Sequence, residues 1–242
     1  LADAEKPALI PMQVRRSSIS AYTSHVLAAV SLQSAASLRG TTWACLMGQW
    51  GRILASSKGT AEDYDMSLQV DHLDYFVSHP WSAPRYKKIL ALMLYRNLIP
   101  SIVGVMCLMS IMIIAPGWRR MGQVLFAAPY PIFLFWHKVD FTGQRLFLDK
   151  VCIHQTDAKL KREGIMSLPA FLLKSRTLLV LYSDAYLERL WTAYELATFL
   201  LLKPEGQLEI LPLDVPSMVG CHTVIIFMMS QLHTGSLLSR GL

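Results

Sequence analysis

The sequence has few charged residues, and it lacks the common cofactor and metal motifs. Only 17% of its 242 residues are charged, whereas charged residues supply about a quarter of a typical soluble chain, and 53% are hydrophobic. It contains no glycine-rich phosphate loop, and its four cysteines form no CxxC pair. The high apolar content excludes a disordered chain. The missing motifs give no indication of a Rossmann cofactor site, a P-loop, a disulfide framework or a metal site.

Acidic residues are missing from the start of the chain. Between Lys6 and Ala61 there is no Asp or Glu, while five basic residues are spread through a background rich in Ser, Ala and Thr. We interpret residues 1–61 as a basic leader that is either transit-like or poorly ordered, or as part of a longer protein. Because the basic residues form no patch, we do not expect nucleic acid as a partner.

Three long segments carry no charge: residues 98–115, 121–136 and 215–239. The first is apolar on every face, and roughly 20 such residues suffice to span a bilayer. Residues 97–137 are therefore predicted to form a transmembrane hairpin, and residues 216–242 a possible third membrane segment. The alternative for each is a buried core helix in a soluble domain.

Basic residues beside the hairpin predict its orientation. Seven lie on its outer flanks, against only Arg119 and Arg120 in its turn. By the positive-inside rule, both outer ends face the positive side, so we expect an integral membrane protein whose partner is the lipid bilayer. An organellar membrane would agree with the transit-like leader.

The remaining residues predict an α/β domain. Short apolar runs at 73–78, 145–151, 177–183 and 208–215 predict strands, and helical spacing predicts helices at 84–98, 164–174 and 190–202. In the first helix, Lys88 is placed opposite the apolar face. Alternating strands and helices imply a doubly wound parallel sheet built from residues 62–96 and 138–215, with the opening strand between the second and third. The apolar insert must then return to the side from which it left.

The motifs in this domain resemble a known family. FLDKVCIHQTD, followed by EGIMSLPAFLLKSRTLLVLYSDAYLERLWTAYELATFL (ending at residue 200), resembles the central half of a Toll/interleukin-1 receptor (TIR) domain. LDYFVSH and LEILPLDV resemble the first and fourth strands of that domain. The resemblance implies a flavodoxin-like doubly wound parallel sheet, interrupted here by the transmembrane hairpin. The chain departs from the family in its first loop, HPWSAPR, in Thr192 where a Cys is usual, and in lacking an evident fifth strand.

The resemblance also implies a catalytic residue. In TIR domains that hydrolyse NAD+, the glutamate of a Trp-x-x-x-Glu motif is essential, and the matching residues are Trp191 and Glu195, which share one helix face. A carboxylate can stabilise the positive charge that develops on the ribose when the nicotinamide bond breaks. NAD+ would be the substrate, and no cofactor is implied.

Ligands of such sheets bind beyond the carboxyl ends of the strands. We therefore expect Ser78, Trp81 and Asp149 to bind substrate there together with Trp191. His79 is expected to be a satisfied loop histidine, and Tyr186 to pack at the sheet edge.

Two functional hypotheses remain open. The first is a membrane-anchored TIR-like protein that hydrolyses NAD+ or signals by TIR self-association. The second is a non-catalytic structural membrane subunit of a larger organellar complex. Without the resemblance, Glu195 would be an ordinary solvated helix residue and Trp191 a core or interface aromatic.

Overall fold

A computed structural model describes residues 38–114, 133–139 and 143–219. The strands are β1 (Arg39–Gly40), β2 (Leu68–Gln69), β3 (Leu73–Ser78), β4 (Leu146–Phe147), β5 (Ser175–Tyr182) and β6 (Gln207–Pro212). The helices are α1 (Trp43–Gly51), α2 (Ala61–Asp65), α3 (Arg85–Ile114), α4 (Asp149–Cys152), α5 (Ala158–Met166), α6 (Leu168–Lys174) and α7 (Leu190–Leu202).

Four of the strands form a parallel sheet flanked by helices, in the order β4-β3-β5-β6. Phe76 of β3 is in register with Phe147 of β4 on one side and with Leu178 of β5 on the other. β3 and β5 are mostly buried because both faces of a parallel sheet are covered, which explains their almost continuous apolar sequences. The predicted parallel sheet, with the opening strand between the second and third, is confirmed.

Aromatic side chains join the sheet to one of its helices. The ring of Phe147 stacks on that of Phe76 with centroids 4.5 Å apart, and it lies 4.5 Å from the ring of Phe171 in α6. All three side chains are almost fully buried. Each such pair contributes about 0.5–1.5 kcal/mol beyond the burial of its area, so these contacts hold the short strand β4 in the sheet.

The second strand is shorter than predicted. The sequence predicted a strand over residues 145–151, which is wrong after Phe147. The backbone N–H groups of Val151 and Cys152 donate to the carbonyl of Leu148, so the chain turns into α4. Asp149 consequently begins a helical turn just beyond the strand, at the carboxyl edge of the sheet.

The helix predicted over residues 164–174 is two helices, α5 and α6, which meet at Ser167. Pro169 lies in the first turn of α6, where a missing N–H breaks no helical hydrogen bond. This proline is therefore a signal for a helix start. β5 and β6 lie within a few residues of their predicted bounds.

The part of the predicted leader that the structure describes belongs to the folded domain. Trp43 at the start of α1 is 2% exposed, and its ring contacts that of Tyr75 edge to face at 5.4 Å. Its indole N–H donates to Oε1 of Gln144 at 3.0 Å. The leader interpretation of residues 1–37 concerns a range outside the described residues.

Helix α3 joins the domain to the apolar insert. It contains both the helix predicted at 84–98 and most of the first predicted membrane segment. Residues Arg85–Ile111 are long and apolar enough to cross a membrane, and a third of their most apolar stretch is buried in the domain. Its exposed apolar side chains include Ile99, Ile102, Val103 and Met106. The rest of the predicted hairpin and the third segment fall mostly outside the described residues.

Candidate active site at the carboxyl edge of the sheet

Polar side chains from three strand ends and one helix meet at the carboxyl edge of the sheet. Ser78 is the last residue of β3, Asp149 follows β4, and Tyr186 ends a short 3-10 turn after β5. Glu195 enters from α7. Three of the predicted site residues, Ser78, Asp149 and Glu195, thus occupy the edge at which ligands of parallel sheets bind.

A buried hydrogen-bond chain links Glu195, Ser78 and Tyr186. The Ser78 hydroxyl lies 2.5 Å from Oε2 of Glu195 and 2.6 Å from the Tyr186 hydroxyl, and all three side chains are almost fully buried. When Glu195 is ionised, Ser78 donates to it and accepts from Tyr186. When Glu195 is protonated, both bonds can reverse because each hydroxyl can donate or accept. These hydrogen bonds therefore accommodate either protonation state of Glu195.

The burial of Glu195 raises its pKa to about 8. The negative charge of nearby Asp149 raises it further, while the hydrogen bond from Ser78 favours the carboxylate and acts in the opposite direction. With this pKa, Glu195 is mostly protonated at pH 7 and ionises in mildly alkaline solution. A glutamate with this property at a strand edge is a candidate for acid–base or charge-stabilising chemistry.

Asp149 is held by Trp81. The indole N–H of Trp81 donates to Oδ2 of Asp149 at 3.1 Å, and the backbone N–H of Lys150 bonds to Oδ1 at 2.6 Å. Burial raises the pKa of Asp149, whereas these two bonds and the positive charge of Lys88 lower it. The loop after β3 is thereby fastened to the turn after β4, as expected if Trp81 and Asp149 belong to one site.

Trp191 lies one helical turn before Glu195 and packs against the core. Its indole nitrogen is buried and, in the part of the chain that the structure describes, has no partner at hydrogen-bonding distance, but it is close enough to favour the ionised form of Glu195. The hydroxyl of Thr192, the next residue, donates to the backbone carbonyl of Tyr186. It thus fixes the turn that carries the Tyr186 hydroxyl.

Three further residues of this region differ from their predicted environments. Lys88 was predicted to lie opposite the apolar face of its helix, which is wrong because its side chain is fully buried. His79 is also buried, and its Nε2 has no hydrogen-bond partner among the described residues. Tyr186 is not simply packed at the sheet edge, since its hydroxyl bonds Ser78. For Lys88 a signal existed, because it lies four residues before the buried Leu92 and so on the same helix face.

Comparison of the chain with protein-family models, with curated proteins and with solved structures finds no match. Within the three described ranges, no group of three or more His, Cys, Asp or Glu side chains is arranged to hold a metal ion. A separate shallow pocket near Arg176, Lys203 and Gln207 lies at the amino ends of β5 and β6.

Proposed function

We propose that this chain is a membrane-anchored, TIR-like protein that hydrolyses the nicotinamide–ribose bond of NAD+, with Glu195 as the catalytic carboxylate. The observation that carries the proposal is the convergence of Ser78, Trp81, Asp149 and Glu195 at one edge of a parallel sheet. The strand order supports the TIR-like interpretation, because the opening strand lies between the second and third as the resemblance requires.

Glu195 supplies the chemistry. As the nicotinamide leaves, positive charge develops on the ribose, and an ionised Glu195 stabilises that charge while water attacks the sugar. Ser78 and Tyr186 orient the carboxylate through their hydrogen-bond chain. Because Glu195 must be ionised for this role, turnover rises with pH towards its pKa of about 8.

Access to the acid requires movement. Glu195 is 2% exposed, so the side chains that cover it must separate before the ribose reaches the carboxyl group. The loop that carries Trp81 is our candidate for this movement, since a single side-chain hydrogen bond joins Trp81 to Asp149 beside the site. Opening of this kind is typical of sites that exclude water during the reaction.

The test is NAD+ consumption by the detergent-solubilised full chain at pH 8, with nicotinamide and ADP-ribose measured as products. Glu195→Gln keeps the shape and removes the charge, and loss of such charge stabilisation typically costs about 3 kcal/mol or more, so turnover should fall about a hundredfold. Glu188→Gln is the matched control, because Glu188 is exposed and lies before α7 begins, so this change should leave turnover unaltered. Turnover that survives Glu195→Gln would contradict the catalytic assignment.

The burial of Glu195 also favours a second candidate, the non-catalytic structural subunit of a larger membrane complex. In that case the buried acid only links α7 to β3, and the exposed apolar side chains of α3 contact lipid or neighbouring subunits. The same assay separates the two functions. A folded parent chain that does not consume NAD+ would favour the structural role, with TIR-like self-association as one form of assembly.

For the membrane anchor, we propose that the part of α3 from Leu98 onward is the first arm of the hairpin predicted over residues 97–137, whose turn holds Arg119 and Arg120. The length and composition of α3 support this proposal. Cysteine-accessibility labelling of Arg119→Cys and Arg145→Cys in membrane vesicles should place the two positions on opposite sides. Equal labelling from one side would contradict the hairpin.

A further inference from the structure

A buried lysine lies beside the candidate active site. Lys88, in the first turn of α3, is 0% exposed, and its Nζ makes one long hydrogen bond of 3.5 Å to the carbonyl of Trp81. The same Nζ lies 5.2 Å from the centroid of the Trp81 ring. In the described part of the chain, Lys88 forms no ion pair within 4.0 Å. A buried ammonium group with so few partners is costly, and such a group is well suited to bind an anion.

His79 provides a second polar atom next to this lysine. Its side chain is 4% exposed, and its ring meets that of Trp81 edge to face at 4.4 Å. Within residues 38–114, 133–139 and 143–219, its Nε2 has no hydrogen-bond partner. Burial and the charge of Lys88 lower the pKa of His79 to about 3, so the ring is neutral. Because the other ring nitrogen bonds the backbone of Val77, Nε2 is an acceptor that suits a hydroxyl donor.

We propose that Lys88 and His79 form the ribose-phosphate subsite of the candidate active site, in which the Lys88 ammonium binds a phosphate and Nε2 of His79 accepts a hydrogen bond from a ribose hydroxyl. A molecule that carries both groups close together is a nucleotide. This inference rests on the proposed function and extends it, because the diphosphate and ribose of NAD+ satisfy both residues. Trp81, which contacts both side chains and also bonds Asp149, connects the subsite to the Glu195 region.

Binding of ADP-ribose to the detergent-solubilised full chain, measured by calorimetry, tests the subsite without requiring turnover. Lys88→Met should weaken ADP-ribose and inorganic pyrophosphate alike by about 10- to 100-fold, the range expected for a charge-assisted hydrogen bond. Lys87→Met is the matched control, because Lys87 is the adjacent lysine, is partly exposed and already pairs with Asp214. It should change either affinity less than about twofold.

His79→Gln and His79→Phe separate the two halves of the subsite. Both retain a side chain of similar bulk, and His79→Phe should weaken ADP-ribose by about 5- to 10-fold while leaving pyrophosphate unchanged, since only ADP-ribose offers a hydroxyl. His79→Gln keeps an acceptor and should lose less affinity than His79→Phe. Equal losses for both ligands would overturn the role assigned to His79.

The remaining outcomes decide the identity of the anion. Lysine-dependent binding of ADP-ribose by a chain that does not hydrolyse NAD+ would support the subsite while refuting the proposed reaction. A folded Lys88→Met protein that binds ADP-ribose as tightly as the parent, or a parent that does not bind it, would overturn the subsite. If short-chain phosphatidic acid displaces pyrophosphate through Lys88 but ADP-ribose does not, the anion is a lipid headgroup and the nucleotide assignment is wrong.

Discussion

Replacing Glu195 by Gln should change the dependence of stability on pH. Because burial raises the pKa of Glu195 from 4.5 to about 8 in the folded chain, the native state holds a proton between these values that the unfolded state has released. The stabilisation from this proton is fully present below pH 4.5 and is lost as pH rises through 8. The amide of Gln does not titrate, so the variant lacks this dependence.

The magnitude follows from the two pKa values. Each factor of ten in proton affinity is worth about 1.4 kcal/mol, so the full change approaches about 5 kcal/mol. Between pH 5.5 and pH 7 the parent should lose about 2 kcal/mol from this group alone. For a chain of this length, that loss corresponds to a decrease in Tm of roughly 4–8 °C.

The assay is thermal unfolding of the parent and Glu195→Gln proteins in the same detergent from pH 5 to pH 9. The difference between the two curves isolates Glu195, because the other titrating groups, apart from the coupled Asp149, are common to both. We expect the variant to gain stability relative to the parent as pH rises. Parallel curves over this range would show that Glu195 is not held protonated in the native state and would refute the reasoning.

Three further substitutions test the environment of the site and the core. Ser78→Ala removes the hydroxyl that bonds both Glu195 and Tyr186. It should lower the free energy of unfolding by about 1–3 kcal/mol and raise the pH at which Glu195 titrates, as measured by the same unfolding series. Lys150→Met leaves the buried carboxylate of Asp63 unpaired and should cost about 3–5 kcal/mol in chemical denaturation, a loss that adding Asp63→Asn should largely reverse. Phe147→Ala empties space between β3 and α6 and should cost about 3–5 kcal/mol, and a loss below 1 kcal/mol would contradict the packing described.

Much of the α/β domain follows from local sequence patterns. The apolar runs of β3 and β5 are long and rich in β-branched and aromatic residues, so strand formation and burial favour the same structure. Alternation with helices then implies a parallel sheet, and a parallel sheet implies a binding edge at its carboxyl ends. Ser78 and Asp149 could be placed near that edge for this reason alone.

The bounds of the second strand and of the helices before β5 depended on weaker signals. Residues 145–151 are apolar at 146–148 and 151, which favours a strand, and only the hydrogen bonds to the carbonyl of Leu148 show that a helical turn begins after Phe147. A proline disrupts the interior of a helix but is favoured in its first turn, so Pro169 is compatible with either one interrupted helix or the start of a new one. The structure shows the second case, because α6 begins just after Ser167.

The order of the strands, the parallel sheet and the edge at which polar residues gather could all be predicted from the amino-acid sequence. Three features of the site depend on the packing of distant elements: Lys88 is buried, Nε2 of His79 lacks a hydrogen-bond partner among the described residues, and Tyr186 reaches Ser78. The reason is physical. Strand and helix patterns depend on neighbours along the chain, whereas the burial of a charge and the pKa of an acid depend on which distant elements pack around it.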